Sequence, residues 1–246
     1  MNKWRKISIS VLLTVFFLIV IGYFGLKSVT YQPSQLAQEA AGSSSGINVS
    51  QSKDGLIFSP EKPTTKPAIL FYQGALVEEM SYSLWAKTLA EAGYPVYLIH
   101  LPLNLAVFQG NKVEEIIEEF YLDNYVLGGH SLGAVMISRY AHRDTSENLK
   151  GVFFLASYPD EKGALNQLGK PVLSLTASED GVLNQKNYEA SRMFLPKETE
   201  FREIVGGNHA GFGSYGPQKG DNPSQLTEKE QQDLVADELL SWLERL

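Results

Sequence analysis

Residues 124–134 read Asn-Tyr-Val-Leu-Gly-Gly-His-Ser-Leu-Gly-Ala, and the reading of the fold turns on this stretch. Tyr125, Val126 and Leu127 form a short apolar run suited to a strand buried on both faces, and 134–141 suits a helix. Between them lies Gly129-His130-Ser131-Leu132-Gly133, a Gly-x-Ser-x-Gly joint. Glycines on either side of the serine let the backbone close a sharp strand-to-helix turn, so that the Ser131 hydroxyl stands clear of the sheet. The Leu132 N–H at the start of the helix then points toward any developing anion. A glycine-rich turn without chemistry is the alternative. With Gly and Ser each near 7% of residues, the pattern alone arises by chance about one time in ten in a chain of this length, so partners elsewhere must decide.

Outward from the joint, the apolar runs at 68–72, 96–99, 152–155, 172–175 and 201–205 alternate with helix-length stretches, two of them at 81–92 and 113–120. Runs that are apolar throughout, separated by helices, indicate a parallel sheet covered on both sides. Residues 47–59 read as a hairpin turning at Lys53-Asp54-Gly55. Thr227 and Glu230 form a capping box for a last helix with Val235, Leu239, Trp242, Leu243 and Leu246 on one stripe. The expected class is α/β, a mostly parallel central sheet with helices on both faces, spanning 47–246. Only about a dozen residues, 159–170, separate two of the runs, which leaves no room for a large lid.

The chain has 246 residues, 21 Lys+Arg against 28 Asp+Glu, and no cysteine. A net charge of −7 repels a phosphate backbone, so nucleic acid is not an expected partner. Without cysteine there is no disulfide, thiolate metal site or thiol nucleophile. Residues 7–26 form an uncharged run preceded by Lys3, Arg5 and Lys6. As a helix this run is about 30 Å long, the thickness of a bilayer core, and longer than a signal-peptide apolar region. The basic residues put 1–6 in the cytoplasm, 7–26 across the membrane as an uncleaved anchor, and the domain outside the cytoplasm. Residues 27–46, ending in a Gly/Ser cluster, read as a linker. The nearest small-residue cleavage site is Ala40-Ala41-Gly42, and cleavage there gives a secreted form.

A serine hydroxyl needs a base and a carboxylate to orient it, in the order Ser, acid, His. His130 adjoins the serine and is expected to point into packing. His142 follows the helix after the joint and suits its C-terminal dipole, and His100 ends a strand ahead of Ser131. His209 follows the run at 201–205 within Gly206-Gly207-Asn208-His209-Ala210-Gly211, a loop at the sheet edge where ligands bind, and is the candidate base. Asp180, beside Gly181, is the preferred acid, with Glu179 and Asp160 as alternatives. The second backbone donor is Ala75 or Gly74, in the turn after 68–72.

These residues resemble the α/β-hydrolase superfamily, specifically small bacterial serine hydrolases with the dienelactone-hydrolase layout. The resemblance covers roughly 47–246. It rests on 128–133, on Phe71-Tyr72-Gln73-Gly74-Ala75, on 101–108, on Ser178-Glu179-Asp180-Gly181 and on 207–218. It implies Ser131 as nucleophile, Asp180 as acid and His209 as base, with an oxyanion hole at Leu132 and the 74–75 turn. Gln73 stands where that branch carries proline. Tyr72, Gln73, Phe108, Tyr158, Phe212 and Tyr215 are candidate pocket residues, with core packing as the alternative.

The expectation is a membrane-anchored carboxylic-ester hydrolase acting on a small-molecule ester or acyl substrate. No metal or organic cofactor is expected. Acyl transfer by the same residues and a non-catalytic membrane-tethered binding protein are the competing readings.

Overall fold

The computed structural model describes the chain from Lys3 to Leu246. Met1 and Asn2 of the expected basic segment lie outside the described residues, as do the side chains of residues 3–10 and 19. In chain order the elements are α1 (Lys3–Val29), α2 (Gln35–Ala40), β1 (Ile47–Ser52), β2 (Gly55–Pro60), β3 (Ala68–Tyr72), α3 (Ser83–Glu91), β4 (Val96–Ile99), α4 (Lys112–Glu119), β5 (Tyr125–His130), α5 (Leu132–Ala141), β6 (Leu149–Leu155), β7 (Val172–Ala177), α6 (Gln185–Ser191), β8 (Glu200–Ile204) and α7 (Glu228–Leu243). They form two units, divided after Thr30.

In the unit Tyr31–Leu246, eight strands make one sheet in the order β1-β2-β4-β3-β5-β6-β7-β8. β2 runs antiparallel to β1 and β4, and every pairing from β4 to β8 is parallel. β3, β5 and β7 are buried at every position, as expected of strands covered on both faces. Alternation sorts their side chains into two cores. Ile69, Phe71, Val126, Phe153 and Leu173 meet α3 and α7, whereas Leu70, Leu127 and Phe154 meet α4 and α5. Phe71 lies 4.7 Å from Tyr82, 4.9 Å from Trp85 and 6.0 Å from Phe153, ring centre to ring centre, an aromatic cluster that binds α3 to the sheet.

The capping box forms as expected: Thr227 accepts from the Glu230 N–H, and the Glu230 carboxylate accepts from the Thr227 N–H. Val235, Leu239, Trp242 and Leu243 are buried, but Leu246 lies past the end of α7 and is exposed. Between β6 and β7 there is one 3-10 turn, Glu161–Gly163, and no α-helix.

The first unit contains α1. Its segment Val11–Val29 is long and apolar enough to be a membrane span or a signal sequence.

The linker expected over 27–46 does not match the structure from Tyr31 onward. The Tyr31 N–H donates to Leu76 O at 2.7 Å, and the Glu78 N–H donates to Tyr31 O at 3.1 Å. Ser34 caps α2 and also donates to Glu228, which accepts from Ser214 as well. Ala37 is fully buried. These residues are part of the domain because their backbone and hydroxyl groups find partners there.

Candidate active site

β5 ends at His130, and the chain enters α5 through Ser131, whose φ of 50° and ψ of −125° are unusual for a residue with a side chain. Hydrogen bonds at both its N–H and its carbonyl hold it there. Its N–H donates to Leu155 O (3.0 Å), and its carbonyl accepts from the Ala134 N–H (3.1 Å) and the Ser157 hydroxyl (2.7 Å). Such a conformation costs about 1–3 kcal/mol and persists only where its surroundings enforce it. The Ser131 hydroxyl makes no cap to the helix. A Cβ on Gly129 would lie 2.6 Å from Ala134 N, and one on Gly133 would lie 2.2 Å from Gln73 O. The start of α5 therefore touches both its own strand and the turn after β3, backbone to backbone.

His209 lies in the loop after β8, and Asp180 in the loop after β7. Both side chains are almost wholly buried, and the His209 Nδ1–H donates to Asp180 Oδ2 at 2.8 Å. Asp180 Oδ1 accepts from the Val182 and Leu183 N–H groups at 2.8 and 2.7 Å, which orients the carboxylate. That bond fixes the His209 tautomer and leaves Nε2 as an acceptor. Nε2 is buried and has no protein partner among the described residues. The His209 ring lies 4.6 Å from that of His130, next to Ser131.

Two further residues hold this arrangement. Asp221 accepts from the Gly181 N–H (2.9 Å) and the Ala210 N–H (2.8 Å), tying together the loops that carry Asp180 and His209. Gln231 of α7 grips Asn208 at both its N–H (3.0 Å) and its carbonyl (2.7 Å). Sequence reasoning missed both. The usable signal was a carboxylate in the Gly/Pro-rich stretch 216–223, and the polar pair Gln231 and Gln232 ahead of the apolar positions of the last helix.

The other histidines are engaged elsewhere. The Tyr82 hydroxyl accepts from the Gly74 N–H at 2.9 Å, so its own proton goes to His130 Nδ1, also at 2.9 Å. Burial, followed by the neighbouring His209, pushes His130 well below the ordinary imidazole range and keeps it neutral. His100 bonds to Glu79 at 3.0 Å, which raises its pKa. His142 Nδ1 donates to Ala164 O at 2.6 Å. The alternative carboxylates are likewise taken. Asp160 pairs with Arg139, which lowers its pKa, and Glu179 accepts from Gln225 at 2.9 Å.

Two expectations need correction. Gly74 has its N–H committed to Tyr82 and is not free to serve as an oxyanion donor. The aromatic pocket does not form as expected. Tyr72 is fully buried, donates to Gly110 O and accepts from the Val113 N–H; Phe212 and Tyr215 are core residues; Gln73 is buried and reaches Asn104 at 3.4 Å. Tyr158 is half-buried against Tyr188, and Phe108 is exposed. A cavity of about 380 Å³ opens behind the His209 loop, among 208–218 and 221–231, and none of the six lines it. Among the described residues no group of three or more His, Asp or Glu side chains is gathered as a metal site.

The sequence profile of the Alpha/beta hydrolase family matches residues 68–233, from β3 into α7. The chain belongs to the alpha/beta hydrolase family. No curated protein sequence matches it. Solved structures with the family fold include a putative lipase from Acinetobacter baumannii, with 14% identity, 86% of this chain and 94% of that chain covered, and a TM-score of 0.62. A carboxylesterase from Bacillus subtilis has 10% identity, 91% and 97% coverage and a TM-score of 0.56. A bacterial membrane phospholipase A has 14% identity, 99% and 98% coverage and a TM-score of 0.59. At these identities the likeness concerns the fold. Within the family, this chain is a hydrolase with esterase- and lipase-like neighbours in structure.

Proposed function

We propose that this protein is a membrane-anchored serine hydrolase that cleaves carboxylic esters. Ser131 Oγ attacks the carbonyl carbon while its proton passes to His209 Nε2, and the Asp180 carboxylate stabilises the imidazolium. The tetrahedral oxyanion is held by the N–H groups of Leu132 and Ala75, each such donor being worth roughly 10²–10³ in rate. His209 then protonates the leaving alcohol, and a water activated by His209 releases the acid from the acyl-serine. α1 anchors the enzyme, with the catalytic domain on the extracytoplasmic side.

The observation that carries this reading is the buried His209, with Nδ1 bound to Asp180, Nε2 unpartnered among the described residues, and its ring against the residue preceding Ser131. The esterase and the lipase among the structural neighbours agree with an ester bond as the target. A panel of acyl esters and matching amides of graded chain length, run on wild type and Ser131→Ala, tests it. Ester turnover abolished by the substitution is expected; amide preference, or turnover that survives the substitution, overturns it.

A further inference from the structure

Large apolar side chains usually point inward, yet the loop after β4 does the reverse. Between Leu101 and Phe108, Asn104 and Ala106 are buried, while Leu103 (40% exposed), Val107 (51%) and Phe108 (61%) face outward together with Pro102. The arrangement is built in. Two 3-10 turns, Pro102–Asn104 and Ala106–Phe108, are closed by Leu105 N–H to Pro102 O (3.1 Å), Phe108 N–H to Leu105 O (3.2 Å) and Gln109 N–H to Ala106 O (3.3 Å). Leu103 and Asn104 are held at φ of 56° and 54°, in the left-handed region. Scattered exposed apolar residues need no explanation, but several within six residues on a rigid scaffold mark a contact surface.

What covers that surface follows from the neighbouring turn after β3. The Leu76 N–H donates to Asn104 O at 2.8 Å, and Leu76 O accepts from the Tyr31 N–H at 2.7 Å. The turn that carries Ala75 is therefore bonded on one side to the apolar loop and on the other to Tyr31. Two such spacings put Tyr31 and the loop roughly 10 Å apart. Only Thr30 separates Tyr31 from Val29, the last residue of the apolar segment. The chain thus enters the domain beside the 73–77 turn, two residues after Val29.

We propose that the face formed by 101–108 and the 73–77 turn lies on the bilayer that α1 spans, and that the site takes its substrate as acyl esters of lipids in that leaflet. The first half rests on α1 as an anchor, and the second rests on the ester-hydrolase reading. Val107 and Phe108 enter the acyl region of the interface, as apolar side chains of peripheral proteins do. An acyl chain then reaches Ser131 along an apolar rim without crossing water.

Because the chain has no cysteine, one introduced thiol reports one position. Full-length Val107→Cys and Tyr121→Cys, each labelled with nitrobenzoxadiazole, are reconstituted in vesicles of phosphatidylcholine and phosphatidylglycerol carrying nitroxide lipids. Tyr121 is 90% exposed and lies before the start of β5, at the opposite edge of the sheet. Loss of emission at 107 with none at 121 is expected. Equal loss at both, greater loss at 121, or none at either overturns the membrane face, and the quenching is read without any turnover.

Val107→Asp is then assayed on a soluble short-chain ester and on a long-chain ester carried in the same vesicles. A loss of about tenfold confined to the vesicle ester is expected, the factor set by removing one valine-sized apolar contact. Equal effects on both esters, or none, overturn the lipid substrate. Wild type that cleaves neither ester removes the substrate half together with the hydrolase reading, while the quenching still decides the face.

Discussion

Replacing Gly133 by alanine puts a methyl group where the start of α5 meets the turn after β3. The added Cβ would lie 2.2 Å from Gln73 O and 2.5 Å from Tyr72 O, and Cβ atoms essentially never come within 3.0 Å of another heavy atom. Both opposing atoms are backbone, so no side chain can rotate away, and the two segments must part by roughly 1 Å. Overpacking of this kind costs about 1–3 kcal/mol. In a domain of about 200 residues that lowers Tm by roughly 3–10 °C. The activity cost is larger. The two segments carry the Ser131 hydroxyl and the Ala75 N–H, and a misplacement of about 1 Å at such a site costs on the order of 10²-fold in rate. Differential scanning fluorimetry and kcat/KM on a nitrophenyl ester measure the two effects. Gly42→Ala is the control, since its nearest neighbour is Glu39 O at 3.5 Å and both quantities should stay at wild-type values. A Gly133→Ala enzyme with wild-type Tm and kcat/KM would refute the backbone contact between the start of α5 and the turn after β3.

Other substitutions test the supporting groups. Asp180→Asn keeps the shape but places an amide donor against His209 Nδ1, favouring the tautomer that cannot act as base at Nε2; kcat should fall on the order of 10³–10⁴-fold, and a loss under tenfold would contradict the pairing. Asp221→Ala frees the N–H groups of Gly181 and Ala210, so kcat should fall about tenfold or more with KM nearly unchanged, and unchanged kcat would show that the tie does not position the pair. His130 is held neutral well below its ordinary value near 6.5, so the unfolded chain binds a proton that the folded chain refuses as pH falls below that value. Its stabilising contribution is full above about pH 6.5 and falls by at most roughly 1.4 kcal/mol per pH unit below it. The decline of Tm between about pH 7 and pH 5 should be shallower in His130→Gln, and equal slopes would contradict the burial argument.

The sheet was legible because its information is local. Runs such as 68–72 and 125–127 are apolar on both faces only where helices cover both, and Thr227 with Glu230 announces α7 within four residues. The Ser131 turn was legible for the same reason, and the pairing of His209 with Asp180 could be anticipated from chain order. Docking of 31–40 was not. Its partners, Leu76, Ser214 and Glu228, lie far along the chain, and six helical residues carry no periodic signal of their own. Nor could sequence show that the Gly74 N–H is taken, since that depends on a Tyr82 hydroxyl delivered by another element. Phe108, a candidate for the pocket or for core packing, does neither, because two 3-10 turns hold it outward. Asp221 had no signal beyond its charge and its Gly/Pro-rich setting, because its role lies in bonds to two loops that meet only in the fold.

The central claim is that Ser131 is an activated nucleophile, and covalent labelling tests it most directly. The full-length protein is treated with a fluorophosphonate, digested, and the modified peptide identified by mass. One phosphonate per chain on Ser131 is expected, absent in Ser131→Ala and much slower in His209→Ala. A folded wild type that stays unlabelled, or a Ser131→Ala protein labelled as fast as wild type, would contradict it.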